Sequence, residues 1–125
     1  MDLSSILSQR TQHGKFGKRA EELFMDFIHL LPQHYVHEHG IEFYADALNV
    51  TPTYLSRVVR QVSGRTVVEH INRLLLMEAI WLLESTTLSI DEIAERINYA
   101  DSTTFGRFFF RMKGVTPREY RKSLT

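Results

Sequence analysis

The sequence has no cysteine, one tryptophan, only three prolines and no net charge. Without cysteine there is no disulfide framework and no thiolate metal site, and a reducing compartment is allowed. The longest apolar stretch, Leu74 to Leu83, is interrupted by Glu78 and is too short to cross a bilayer. The N-terminus lacks a basic segment followed by an apolar run, so no signal peptide is expected. A soluble chain in the cytoplasm follows, with no membrane partner. There is no Gly-rich phosphate loop, no nucleophile elbow and no carboxylate pair in an obvious cleft, which speaks against an enzyme. Asp91, Glu92 and Glu95 share one helix and read as caps and solvated charge. A zero net charge argues weakly against a nucleic-acid partner, but the charges are unevenly spread. From Ser102 onward six cations (Arg107, Arg111, Lys113, Arg118, Arg121, Lys122) face one acid, Glu119. Such a local basic face attracts phosphate; an ordinary solvated helical face accounts for it equally well.

What is present is helical punctuation. Residues 1–17 are polar and read as a linker or arm, with room for a short helix around Leu3 to Leu7. A helix follows from about Lys18, with Ala20, Leu23, Phe24, Phe27, Ile28 and Leu31 on one face, and Pro32 is expected to end or kink it. His34, His37 and His39 invite comparison with a metal site, yet no distant ligand set accompanies them. They read as partly exposed polar residues before the Gly40 turn, so neither metal nor cofactor is expected. Residues 42–48 form a short helix with Phe43, Ala47 and Leu48 inward. Asn49-Val50 turns the chain, and Thr51 caps a helix whose first residue is Pro52. Leu55, Val58, Val59 and Val62 face in, and Gly64 closes it. Residues 42–64 are thus a helix-turn-helix.

Residues 89–114 repeat that design. Ser89 and Glu92 make a capping box, and Ile90, Ile93, Ala94 and Ile97 recur at helical spacing. Asp101 caps the next helix, which buries Phe105, Phe108, Phe109 and Met112 and ends at Gly114. A second capping box, Thr116 and Glu119 around Pro117, starts a C-terminal helix over 116–124. Leu55, Arg57, Gly64, Thr66 and Glu69 recur fifty residues later as Phe105, Arg107, Gly114, Thr116 and Glu119, the mark of an internal duplication. Between the copies a linker helix over 66–85 is opened by Thr66 and Glu69. Its apolar residues lie on most sides, which predicts packing on several sides and a rigid link between the units. Twenty residues span about 30 Å. Successive major grooves on one side of B-DNA lie about 34 Å apart. The fold class is therefore all-α, with about seven helices and two helix-turn-helix subdomains joined by the linker.

From Ala20 to Leu124 the chain resembles the DNA-binding domain of AraC/XylS-family bacterial transcription regulators. The resemblance rests on the two-unit plan, on Ile93-Ala94, on Arg107-x-Phe109, and on Gly114-x-Thr116-Pro117-x-x-Tyr120-Arg121. It implies a transcription regulator, nucleoid-associated, that activates or represses by placing both recognition helices in successive major grooves of double-stranded DNA. Most members carry a separate, often N-terminal, effector or dimerisation domain, so the chain reads either as a stand-alone short regulator or as the C-terminal piece of a longer one, and the linker-like residues 1–17 favour the second; RNA polymerase is a candidate protein partner. The sequence departs from the family in the second turn, where the usual Gly-Phe is Asn98-Tyr99; asparagine tolerates a left-handed conformation, which keeps the turn. Phe110 stands where a basic residue commonly follows the buried Phe109, and Leu75 where an arginine is common.

With Leu55, Val58 and Val59 committed to the core, the opposite face of the first recognition helix presents Thr53, Ser56, Arg57 and Arg60. Arg57 can make two hydrogen bonds to guanine, and Ser and Thr can bond a base or touch a thymine methyl. Thr53, Ser56 and Arg57 match base-facing positions of the family, and Arg60 fits a phosphate. The same logic gives Ser102, Thr103 and Arg107 as base contacts of the second unit. Gly106 lies among them and reads no base edge; either a close approach of the DNA backbone or packing against a neighbouring helix accounts for it. Phe110 is expected to pack on the C-terminal helix, with a missing domain or a protein partner as the other occupants. Further backbone contacts are expected from Thr51, Arg65, Thr66, Ser89, Thr116 and Arg118. The competing reading is a helix-turn-helix protein-interaction module that has lost specific DNA binding.

Overall fold

The computed structural model describes residues 18–125, so the arm over 1–17 lies outside the described residues. Seven helices and no strand occur among them: α1 Lys18–His34, α2 Ile41–Ala47, α3 Pro52–Ser63, α4 Val67–Ser85, α5 Ile90–Arg96, α6 Ser102–Lys113 and α7 Pro117–Lys122. The chain divides into two compact units. The first comprises residues 18–34 and 38–71, the second residues 35–37 and 72–125, so the boundary falls inside α4.

In the first unit α1 packs on α3 and α2, and α2 on α3. Leu55, Val58 and Val59 of α3 are fully buried, as are Phe27 of α1 and Tyr44 and Ala45 of α2. The Tyr44 ring meets Phe27 edge-on at 5.7 Å, and its hydroxyl donates to the Glu38 carbonyl at 2.9 Å. That bond satisfies the only polar atom the ring carries inward. Burial pushes the Tyr44 phenol up to about 12. The inward face of α2 therefore differs from the expected one: Tyr44 and Ala45 go in, Ala47 is exposed, and Phe43 and Leu48 are half-buried. An amphipathic tyrosine with a carbonyl in reach outcompetes a smaller alanine for the core. Helix α1 also runs two residues past Pro32, to His34, whose ring lies 4.7 Å from that of Phe43.

The second unit rests on aromatics. Phe105, Phe108 and Phe109 of α6 are buried. Tyr99 stacks on Phe108 at 5.4 Å, and Tyr120 meets Phe109 edge-on at 5.7 Å. Both interhelix turns use the left-handed region, at Asn49 (φ 59°) and Asn98 (φ 66°). Asn98 thus keeps the turn, as expected, and its Nδ2 also donates to the His37 carbonyl at 3.0 Å.

Arg121 clamps the end of α4. Its Nε donates to the Leu83 carbonyl at 3.2 Å, its Nη2 to those of Leu82 (3.3 Å) and Thr86 (3.2 Å), and its Nη1 to that of Leu88. The last carbonyls of a helix have no partner within it; here Thr86 donates to that of Leu82 through its amide and hydroxyl, and the guanidinium fork reaches the others. Tyr120 beside it donates to Glu84. The linker helix packs on fewer sides than expected. Val67, Ile71, Leu75, Ala79, Leu82 and Leu83 are buried, but Met77 is 65% and Trp81 57% exposed. A helix that is apolar on many sides buries only the sides its neighbours reach.

Candidate nucleic-acid interface

In the first unit, burying the Leu55–Val58–Val59 side of α3 leaves Thr53, Ser56, Arg57 and Arg60 exposed. These four line a shallow open concavity together with Gln61 and Gly64. Thr51 caps the helix, its Oγ1 accepting from the Tyr54 amide at 3.1 Å. Pro52 has no N–H, which leaves the Thr53 amide as the donor at the helix tip. No acid stands in the first turn of α3, so the positive end of its dipole is not neutralised from within the helix.

Arg65 and Thr66 lie next to this face rather than in it. The Thr66 amide donates to Glu69 Oε1 at 2.8 Å, and Thr66 Oγ1 accepts from the Glu69 amide at 3.0 Å. These bonds, first that to the Thr66 backbone, hold the Glu69 carboxyl below its usual range, with Arg60 and Arg65 adding to the effect. A charged carboxylate therefore occupies the helix start that was expected to serve phosphate. Nearby, His70 Nε2 lies 2.9 Å from Ser63 Oγ, which itself donates to the Val59 carbonyl at 2.6 Å. Burial, helped by Arg65, lowers the His70 pKa.

In the second unit three helix starts converge on one depression. It is lined by Ser89, Ile90 and Asp91 of the α5 start, Ser102, Thr103 and Gly106 of α6, and Thr116, Pro117 and Arg118 of the α7 start. Six of the seven residues expected here are brought together. The seventh, Arg107, is exposed on α6 but does not line the depression. The hydroxyls of Ser89 and Thr116 accept from the Glu92 and Glu119 amides, and their own amides donate to those carboxylates. Only the hydroxyl protons of these caps remain for a phosphate. Asp101 Oδ1 accepts from the Thr104 amide at 2.8 Å, and this bond above all keeps its carboxyl below the ordinary range. Acid is thus more prominent here than around α3.

Among the lining residues, two polar side chains were not anticipated. Gln61 follows Arg57 by one turn and so was open to detection by helical spacing. Asp91 reads locally as a mere helix-start acid, and only the convergence of α5, α6 and α7 puts it in the depression. The basic tail is less uniform than its composition suggests. Arg121 is turned to carbonyls, Arg111 lies 5.9 Å from the Phe108 ring centre, and Lys113 lies 5.6 Å from that of Tyr120. Phe110, expected to be covered by α7, is left 54% exposed. A Cβ built on Gly106 would meet nothing within 4 Å, which removes the packing explanation for that glycine. Among the described residues no group of three or more His, Asp or Glu is placed to hold a metal ion, and no helix is long and apolar enough to cross a membrane.

The sequence profile of a helix-turn-helix domain family matches residues 44–123. The chain belongs to the AraC-type helix-turn-helix family. This is a family of regulator DNA-binding domains and not an enzyme family. Among curated relatives, the chain is 34% identical over 102 residues to the uncharacterised HTH-type transcriptional regulator YisR of Bacillus subtilis, covering 82% of this chain and 36% of YisR. It is 35% identical over 92 residues to the HTH-type transcriptional activator RhaS of an Enterobacter species, covering 74% of this chain and 33% of RhaS. The chain therefore spans about a third of the length of these relatives. Among solved structures, the C-terminal domain of AraT, a response regulator from Geobacillus stearothermophilus, superposes with a TM-score of 0.76 at 32% identity, covering 81% of this chain and 84% of that one. The DNA-binding domain of AdpA, solved in complex with a target DNA, gives a TM-score of 0.72 at 21% identity over 80% of this chain and 90% of that one, a likeness of fold alone.

Proposed function

We propose that this AraC-type chain is the sequence-reading part of a transcription regulator and binds double-stranded DNA in two successive major grooves, α3 in one and α6 in the next. The observation that carries the reading is the division of each recognition helix into a buried apolar side and an outward face of Thr, Ser and Arg, which, Arg107 aside, lines a concave surface. Thr53, Ser56 and Arg57 read bases in the first groove, and Ser102, Thr103 and Arg107 in the second. Thr51, Arg60, Arg65, Thr66, Ser89, Gly106, Thr116 and Arg118 approach the phosphates. Of these, Thr66, Ser89 and Thr116 act through hydroxyl protons, because their amides are taken by capping carboxylates. The carboxylates weaken phosphate attraction at those starts, which leaves Thr51, Arg60 and Arg118 as the stronger anchors. The protein works in the cytoplasm on the nucleoid. The match spans about a third of YisR and of RhaS, which supports an effector or dimerisation domain outside this chain, and the role of RhaS as a transcriptional activator supports RNA polymerase as a protein partner.

The test is selection of bound duplexes from a randomised pool, followed by gel shift at two salt concentrations. Arg57→Ala is expected to lose about 10- to 100-fold of discrimination at a single base pair, the worth of one bidentate contact. Arg118→Ala weakens all duplexes alike and lowers the salt slope by about one. A chain that retards no duplex at low salt, or retards all equally, is the protein-interaction module instead.

A further inference from the structure

The two recognition faces correspond position by position at an offset of fifty. Thr53, Ser56, Arg57 and Arg60 of α3 stand where α6 has Thr103, Gly106, Arg107 and Phe110. The second face has thus exchanged a hydroxyl for nothing and a guanidinium for a phenyl ring. Packing among the described residues explains neither exchange. The space around Gly106 is open, so a methyl group there would touch nothing, and glycine inside a helix costs about 1 kcal/mol relative to alanine. Phe110 is more than half exposed. It forgoes the burial that stabilises an aromatic side chain elsewhere in this unit. A glycine that costs helix stability and an apolar ring left largely in water, on one helix face, point to something outside the protein.

Both exchanges act in the same direction. Removing the side chain at 106 lets the backbone of α6 come closer to whatever the helix faces. A phenyl ring one turn on then offers a contact that is apolar and uncharged. The apolar group that B-DNA displays in its major groove is the C5 methyl of thymine, and Phe is among the side chains that contact it. We infer that α6 reads a thymine through its C5 methyl by contact with the Phe110 ring, with Gly106 supplying the close approach. The inference rests on the DNA-binding reading above.

The helix geometry sets where that thymine lies. Phe110 follows Arg107 by three residues and Thr103 by seven, a rise of about 4.5 Å and about 10 Å along the axis. Base pairs are stacked about 3.4 Å apart. For a helix running along the groove, the thymine falls one or two base pairs from a guanine held by Arg107 and about three from the pair met by Thr103. The first unit has no counterpart, since Arg60 occupies that position with a charge. The two halves of the operator therefore differ in kind: the half under α3 is read by hydrogen bonds and held by charge, and the half under α6 adds a methyl contact.

Deoxyuridine tests this directly, because it pairs as thymine does and lacks only the methyl. The best duplex from the selection is remade with each thymine replaced singly, and binding of the full 125-residue chain is measured by gel shift for the wild type, Phe110→Ala, Phe110→Leu and Gly106→Ala. The wild type is expected to lose about fourfold at one position in the α6 half, the worth of one apolar methyl, and little elsewhere in that half. Phe110→Ala should bind the thymine and deoxyuridine duplexes equally at that position, and Phe110→Leu should keep most of the difference. Gly106→Ala should melt at a higher temperature yet bind at least threefold more weakly. Sequence-discriminating binding with no deoxyuridine-sensitive position in the α6 half, or a sensitivity that survives Phe110→Ala, overturns the inference and leaves the DNA-binding reading intact. Loss of all discrimination in the wild type overturns both.

Discussion

Replacing Arg121 by methionine keeps the length and much of the packing of the side chain while removing all five of its donors. The carbonyls of Leu83, Thr86 and Leu88 then lose the donor that the guanidinium gave them, while that of Leu82 keeps the Thr86 amide and hydroxyl. A hydrogen bond from a charged donor contributes about 1.5–3 kcal/mol. Three of the four bonds are at 3.2–3.3 Å and the site is only half-buried, so water replaces part of what is lost. Counting one full bond and the rest at a fraction gives a loss of about 3 kcal/mol. For a domain of this size that is a fall in Tm of about 10 °C. The assay is urea unfolding followed by circular dichroism at 222 nm, with the wild-type slope expected to persist. Arg121→Lys should recover little, since an ammonium lacks the fork that reaches several carbonyls at once. The competing account makes Arg121 one more cation of a DNA-attracting tail. It predicts the reverse pattern: a stability change below about 0.5 kcal/mol and a salt slope lowered by about one. That pattern would refute the clamp.

Asn98→Ala should destabilise by about 2 kcal/mol through left-handed strain and the lost bond to His37, whereas Asn98→Gly should lose only the smaller hydrogen-bond part; thermal melts of the two variants separate the terms. Stability should fall in two stages as pH is lowered. His70 prefers its neutral form in the folded state, so the first loss begins as pH falls through 6.5, its ordinary value, and continues to its lowered folded value; it is absent in His70→Asn. Glu69, Glu92 and Asp101 are held below 4.5, 4.5 and 3.8, so their contribution is complete above those values and is lost as pH falls through the lower folded ones. Urea midpoints taken across pH 3–8 resolve both stages.

The helices, their caps and their ends were legible in the sequence because each is decided by atoms within about four residues. Thr51, Thr66, Ser89, Asp101 and Thr116 each bond the amide three positions on. Gly64 and Gly114 adopt the left-handed conformation that ends a helix. The recognition faces followed from the same local logic, since committing Leu55, Val58 and Val59, or Phe105, Phe108 and Phe109, to the core leaves one side of each helix outward. The duplication and the motif around Gly114 and Pro117 carried the family.

What the sequence by itself could not decide was every choice between neighbours distant in the chain. Tyr44 displaced the expected inward residues because the Glu38 carbonyl came within its reach. Arg121 left the basic tail because four carbonyls from residues 82–88 converge on it. Asp91 entered the depression because α5, α6 and α7 begin side by side. Met77, Trp81 and Phe110 stayed largely exposed because no helix among the described residues covers them. A cap needs only its own turn, and so sequence determines it. Exposure, and the partner of a long side chain, depend on which elements arrive beside it, and tertiary structure alone decided those for this protein.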